Sequence, residues 1–259
     1  MEDTVREVVE WILAAKRVVV FTGAGVSTES GIPDFRSAGG IWEKYDPDDF
    51  TYQRFVSSEE AREQYWRLGS EFYHSLRYVK PNRAHEAIAE LEKLGKLECV
   101  ITQNVDGLHQ MAGNSPEKVI EVHGTFRTVT CLKCGKRYTR EVVQGMIDGG
   151  VKVPRCDECK GILKDDTIAF GQAMPEKETA EGFRRCEECD LCFVIGSSLV
   201  VQPAASMPIV AKQTGAKLVI VNREPTPYDG LADAVLRGSA GVVMTQIIDA
   251  LRSRIHPRG

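Results

Sequence analysis

Five short runs rich in β-branched residues, RVVVF (17–21), ECVIT (98–102), KVIEV (118–122), LCFVI (191–195) and KLVIV (217–221), recur along the chain with longer segments of helical period between them. That alternation is the pattern of βαβ units feeding a parallel sheet. Helices are expected at 3–15, 84–95, 203–214 and 244–254, the last ending in Arg252 and Arg254 as a helix dipole prefers. The expected fold is therefore α/β, a Rossmann-like parallel sheet domain. Two stretches break the alternation. Residues 41–80 are rich in aromatics and charges without a strand pattern and read as a helical insertion; residues 128–165 carry four cysteines and almost no core-sized apolar run, and read as a small metal-stapled insertion. This leaves 1–40, 81–127 and 166–259 for the Rossmann-like domain.

A chain of 259 residues with 42% hydrophobic positions can bury a core of this kind. Its 33 basic and 37 acidic side chains give a net charge of −4 with no long run of one sign, so direct nucleic-acid binding is not expected. No apolar run reaches the roughly 18 residues a membrane span needs. The start, MEDTVREVVEWILAAKR, has neither the basic region nor the cleavage site of a signal peptide. A cytoplasmic location is expected, where eight cysteines point to metal ligands rather than a disulfide framework.

In open parallel sheets ligands sit beyond the carboxyl ends of the strands. Here those ends deliver Thr22-Gly23-Ala24-Gly25-Val26-Ser27, Gln103-Asn104-Val105-Asp106, His123-Gly124, Gly196-Ser197-Ser198 and Asn222-Arg223-Glu224. The turn Gly23-Ala24-Gly25 would let a phosphate approach the backbone, yet a third glycine and an acidic residue about 20 positions on, which a standard dinucleotide fingerprint needs, are both missing. An ordinary dehydrogenase is disfavoured. Gly196 and the Asn222/Glu224 pair form a second half-site, at the place from which a ribose is held. Plain βα connections would also produce both glycine turns.

Cys131-Leu132-Lys133-Cys134 and Cys156-Asp157-Glu158-Cys159 are two knuckles separated by the 21 residues 135–155. Four thiolates so spaced close a tetrahedron with no open position, which is structural rather than catalytic zinc. Cys186-Glu187-Glu188-Cys189 imitates a third knuckle but has no partner pair, and reads as ordinary small side chains at a helix end. Of five histidines, His256 is in the tail, His74 and His85 lie on helical segments, and His109 reads as a core or capping residue. His123 alone stands at a strand's carboxyl end before a glycine, a place that suits either a general base or a structural histidine.

GAGVSTESGIPDFRS (23–37), TQNVDGLH (102–109), His123-Gly124, the paired CxxC motifs, GSSLVVQPA (196–204) and VNRE (221–224) occur in the order seen in sirtuins, and the chain resembles that family from residue 5 to about 254. The resemblance implies an NAD-dependent protein-lysine deacylase of the compact prokaryotic kind. It places Ala24, Thr28, Phe35 and Arg36 around NAD, with Phe35 covering the reactive ribose. Gln103 and Asn104 fall near the nicotinamide ribose, Val105 and Asp106 at the carboxamide, and Ser197, Ser198, Asn222, Glu224 and Val242 around the adenosine half. His123 is implied as the base and Asn104 as its catalytic companion. The acyl-lysine carbonyl attacks the ribose as nicotinamide departs, His123 activates a ribose hydroxyl, and water completes transfer of the acyl group to ADP-ribose. Zinc, on Cys131, Cys134, Cys156 and Cys159, plays no chemical part.

Substrate contacts are implied at Ile168, Phe170 and Gly171, with Thr167-Ile168-Ala169 pairing to an extended acyl-lysine peptide through its backbone. Two departures bear on specificity. The frequent Phe-Gly-Glu is here Phe170-Gly171-Gln172. Relatives that remove acidic acyl groups carry Tyr and then Arg three residues later; here Tyr73 is followed at that spacing by Leu76, which favours neutral acyl groups over succinyl. The chain is expected to act as a monomer. The rivals are mono-ADP-ribosylation from the same NAD site, a non-catalytic NAD sensor, and a zinc-ribbon nucleic-acid binder.

Overall fold

In the computed structural model, which describes residues 2–34, 40–43 and 45–255, each of the five expected strands forms within one residue of its anticipated ends. In chain order the elements begin with α1 (Glu2–Ala14), β1 (Val18–Thr22), α2 (Tyr52–Ser57), α3 (Glu59–Leu76), α4 (Arg83–Lys93), β2 (Leu97–Thr102), α5 (Leu108–Ala112) and β3 (Val119–Glu121). They continue with β4 (Gly124–Cys131), β5 (Arg137–Thr139), α6 (Arg140–Asp148), β6 (Leu163–Thr167), α7 (Glu176–Glu188) and β7 (Leu191–Ile195). The chain closes with α8 (Met207–Gln213), β8 (Lys217–Asn222), β9 (Ala234–Arg237) and α9 (Ala240–Ile255). Six strands form one parallel sheet in the order β3-β2-β1-β7-β8-β9.

The sheet is covered on both faces, and the pleat sorts its side chains between them. Val18, Val20, Leu191, Phe193 and Ile195 pack with Val5, Val8, Val9 and Ile12 of α1 and with α4 and α9. Val19, Phe21, Cys192 and Val194 join Met207 and Ala211 of α8 and Cys186 of α7. The α1 positions repeat at the helical period and are all buried.

Two elements carried little sequence signal. β9 is four residues long and is fixed by Asp233 just before it, whose carboxylate accepts from Leu218 N (2.9 Å), Lys212 Nζ (2.6 Å) and Lys217 Nζ (3.0 Å). α7 is polar almost all round, with Gly182 and Cys186 its buried positions. Arg184 and Arg185 pair with Glu181, and Arg184 with Glu188, along its exposed side. The helix expected at 203–214 starts as a 3-10 turn, Ala204–Ser206, and becomes α8 only at Met207.

A second, antiparallel sheet in the order β5-β4-β6 contains the paired CxxC segment. It begins at Gly124 and ends at Thr167, so it runs past the 128–165 limits read from composition. Val129, Val143 and Leu163 make a small core there with Trp66 of α3. Arg140 is buried with its guanidinium 4.9–5.3 Å from the rings of Trp66, Tyr73 and Phe126, which ties α3 to α6 and β4. Among the described residues no helix is long and apolar enough to cross a membrane.

Candidate active site

The strand order reverses between β1 and β7, so the crevice of this sheet opens over the loops that follow them. Those loops interlock through glycine. Gly25 N donates to Gly196 O at 2.8 Å, and Gly23 N to Ile195 O at 3.2 Å. A Cβ on Gly25 would lie 2.8 Å from Gly196 O, and one on Gly196, at φ +63°, would lie 2.2 Å from Val26 N. The glycine pattern is thus explained first by two backbones in contact, which brings both half-sites to one place.

β2 adds the polar floor. Gln103 Nε2 donates to Ser197 Oγ (2.9 Å) and to Thr22 O (3.3 Å), joining the β1, β2 and β7 ends. Buried Asn104 gives its amide protons to Gly23 O (3.2 Å) and Ser27 Oγ (3.1 Å). The Ser27 hydroxyl in turn donates to Asp106 Oδ2 (2.8 Å), while Asp106 Oδ1 accepts from Leu108 N (2.9 Å). Burial raises the Asp106 pKa above the usual carboxylate value, and these two donors offset part of that rise. Ser27 was read only as one of the residues delivered to this edge after β1, with no role assigned; its sequence signal is that place.

His123 lies two residues past β3, half-buried, and burial lowers its pKa while a hydrogen bond with the Gln103 backbone partly restores it. Its own carbonyl accepts from Ile168 N at 2.9 Å, so the imidazole and the peptide-side strand share one backbone link. His85 and His109 lie deeper. His85 Nδ1 accepts from Asn82 N in a capping box, and its Nε2 faces Ser27 Oγ at 3.5 Å. Thr22 gives its hydroxyl proton to Thr102 Oγ1 (2.8 Å), so His109 Nε2, 3.0 Å from Thr22 Oγ1, is the donor in that pair. Of the two readings given for His109, core or capping, its burial fits the core one.

Of the other residues read as cofactor contacts, Ala24 is half-buried in the turn after β1 and Thr28 donates its hydroxyl to Gly25 O (3.0 Å). Phe35 and Arg36 lie outside the described residues. Val105 accepts Phe126 N through its carbonyl (3.2 Å); Ser197 is buried and Ser198 half-buried beside Gly196. Asn222 spends its amide on the Glu224 carbonyl (2.8 Å), leaving the Glu224 side chain exposed. Val242 is exposed in the first turn of α9, next to Gly241, whose N–H goes to Glu29 Oε1 (2.8 Å). On the peptide side Ile168 is half-buried, whereas Phe170 and Gly171 are exposed. Strand β6 ends at Thr167, so the expected strand 167–169 is cut short: Gln172 N donates to Ala169 O (3.0 Å), making a turn with Gly171 at φ +75°.

The donor set of Asn104, Asp106, Gln103, Ser197 and Ser198 suits a ligand rich in amide and hydroxyl groups, since Asp106 and Asn104 Oδ1 keep acceptor capacity. The metal-side expectation fits as well. The sulfurs of Cys131, Cys134, Cys156 and Cys159 all lie within 4.8 Å of one another, with 3.4 Å between Cys131 and Cys159 and 3.6 Å between Cys134 and Cys156. Four sulfurs on a zinc at about 2.3 Å would stand roughly 3.8 Å apart. A Cβ on Gly161 would press on Cys131 Sγ at 2.9 Å, so only glycine leaves room for the sulfurs. Cys186, Cys189 and Cys192 are buried in the core, as expected of plain small side chains.

The parallel order and the polar edge at its reversal define a Rossmann-like, dinucleotide-binding class of protein. Within that class the chain belongs to the Sir2 family, whose family model matches residues 23–203. It is 45% identical over 251 residues to an NAD-dependent protein deacetylase of Thermodesulfovibrio yellowstonii, covering 97% of this chain and 96% of that one. It is 41% identical over 255 residues to NAD-dependent protein deacylase 2 of Archaeoglobus fulgidus, covering 97% and 98%. A solved Sir2 with a deacetylated peptide and 3'-O-acetyl ADP-ribose superposes with a TM-score of 0.88 at 37% identity, covering 94% of this chain and 96% of that one.

Proposed function

We propose that this chain removes acyl groups from lysine side chains of extended peptides, using NAD and passing the acyl group to ADP-ribose with release of nicotinamide. NAD, when bound, supplies the electrophilic ribose carbon and the hydroxyl that receives the acyl group. The observation that carries the reading is the half-buried His123, linked on one side to Gln103 and on the other, through its carbonyl, to Ile168. A ring N–H engaged by the Gln103 backbone leaves the other nitrogen with its lone pair, and burial keeps the ring neutral, so His123 takes a hydroxyl proton near neutral pH. Asn104, its amide protons already spent, orients that hydroxyl through Oδ1. Asp106, held by Ser27, accepts from the carboxamide N–H next to Val105. Ala24, Thr28, Phe35 and Arg36 are assigned to the phosphates and ribose, and Ser197, Ser198, Asn222, Glu224 and Val242 to the adenosine half. Ile168, Phe170 and Gly171 are assigned to the peptide.

The division into 1–40, 81–127 and 166–259 for NAD, 41–80 for the helical insertion and 128–165 for the zinc insertion belongs to the same reading, as do a monomeric state and a cytoplasmic location. Neutral acyl groups are preferred, and the net charge of −4 supports a protein rather than a nucleic-acid partner.

His123→Ala tests the assignment. Turnover of an acetyl-lysine peptide should fall about a hundredfold or more, the scale of a lost general base, with NAD affinity largely kept. The acid limb of wild-type kcat/KM should lie at lower pH than an ordinary histidine would give, because burial moves the His123 pKa downward and activity needs the neutral ring. Surviving turnover in His123→Ala would remove His123 from the base role.

A further inference from the structure

β6 is an edge strand of the small sheet, and an edge strand presents unpaired N–H and C=O groups. Which groups those are follows from the register. Thr167 stands opposite Gly124 while Ile168 gives its N–H to His123 O, so Ile168 faces β4 and its neighbours Thr167 and Ala169 face outward. All four outward backbone groups are already taken by groups of this same segment. At Thr167 the N–H goes to Asp165 Oδ1 (3.2 Å) and the carbonyl accepts from Lys164 Nζ (2.6 Å). At Ala169 the N–H goes to the side-chain carbonyl of Gln172, Oε1 (3.2 Å), and the carbonyl accepts from Gln172 N (3.0 Å).

The two caps differ in what it takes to open them. Lys164 and Asp165 are 2% and 3% exposed and belong to one buried network, in which Asp165 also accepts from Tyr65 Oη (2.5 Å) of α3 and Lys164 Nζ donates to Asp165 O (3.1 Å), so opening that cap would take hydrogen bonds from buried charges that water cannot reach. Gln172 is only half-buried, and its side chain holds Ala169 by a single neutral hydrogen bond that water can replace.

We infer that Gln172 is an affinity-setting residue for the acyl-lysine peptide: its Oε1 occupies, in the free protein, the acceptor position that a carbonyl of an extended substrate takes on Ala169 N–H. The inference rests on the deacylase reading. Entry of the peptide turns the Gln172 side chain off Ala169, and the energy of that contact is subtracted from peptide binding. Thr167, locked by Lys164 and Asp165, is not offered to the substrate at all.

Three enzymes with one change at this position test it: wild type, Gln172→Met, which keeps the length and removes the acceptor, and Gln172→Glu, whose charged carboxylate caps Ala169 more strongly. An acetyl-lysine peptide without charged residues removes long-range attraction from the comparison. KM for the peptide should fall about threefold to tenfold in Gln172→Met and rise by a similar factor in Gln172→Glu, with kcat and NAD affinity unchanged. The reverse order, Gln172→Met weakest, would mean that Gln172 binds the substrate instead, and equal KM values would mean that the cap does not compete; either overturns the inference. Turnover by all three enzymes establishes the deacylase reading independently of their KM order, so the two can fail separately.

Discussion

His85 and His109 stand with ring centroids 5.0 Å apart behind the loop that carries Ser27, and neither is charged in the folded protein. Burial brings His85 down to about 4 and moves His109, next to it, well below its ordinary value. For a histidine depressed in this way the unfolded chain binds more protons at acid pH, so stability is complete above about pH 6.5 and is lost as pH falls towards the folded value. His85 alone accounts for about 3 kcal/mol between pH 6.5 and 4. Denaturant midpoints should therefore be lower at pH 4.5 than at 7, and His85→Gln should narrow the gap; an unchanged gap would place the acid loss in the carboxylates. At this scale the sequence was informative where a residue followed a strand, as with Gln103, Asn104, Asp106 and His123. It placed Ser27 at that edge and His85 on a helix but did not give their pairing, because that depends on how α4 packs under the β1 loop, which no local pattern encodes.

The elements divide by what holds them. The five expected strands were legible since each centres on a short run rich in β-branched residues and is followed by turn residues, and both sheet faces are covered by helices. β9 and α7 were not, since each buries few side chains, Ala234 and Leu236 in β9 and Gly182 and Cys186 in α7, and the polar groups around them, Asp233 and the Arg184 and Arg185 ion pairs, hide the apolar pattern. The β5-β4-β6 sheet is a third case. Its few buried aliphatic side chains, Val129, Val143 and Leu163, contribute about 1.5–3 kcal/mol each, whereas a structural zinc contributes about 10 kcal/mol or more. Stripping the metal with a strong chelator should expose the amides of β4, β5 and β6 to rapid hydrogen exchange while those of β1, β2, β7 and β8 stay protected. Peptide turnover should be lost with them, because Ile168 and His123 are joined by one hydrogen bond. Continued protection of β4 after metal removal would show that the local core suffices.

At the scale of the molecule, six parallel strands end on one edge, two glycine loops lock together at the strand-order reversal, and the antiparallel sheet brings Ile168 against His123. The expectation that residues just past the strands gather on one edge needed no knowledge of strand order, and the structure brings the loops after β1 and β7 together there. What sequence alone could not supply was the contact between Gly25 and Gly196, distant in the chain and joined only once β1 and β7 are neighbours. The central claim is that this edge couples NAD cleavage to removal of an acyl group from lysine. The most direct measurement is mass spectrometry of the protein incubated with NAD and an acetyl-lysine peptide, with and without excess nicotinamide. The account predicts O-acetyl-ADP-ribose and deacetylated peptide in equal amounts, both suppressed by nicotinamide. NAD consumed with the peptide still acetylated, and protein heavier by one ADP-ribose, would contradict it.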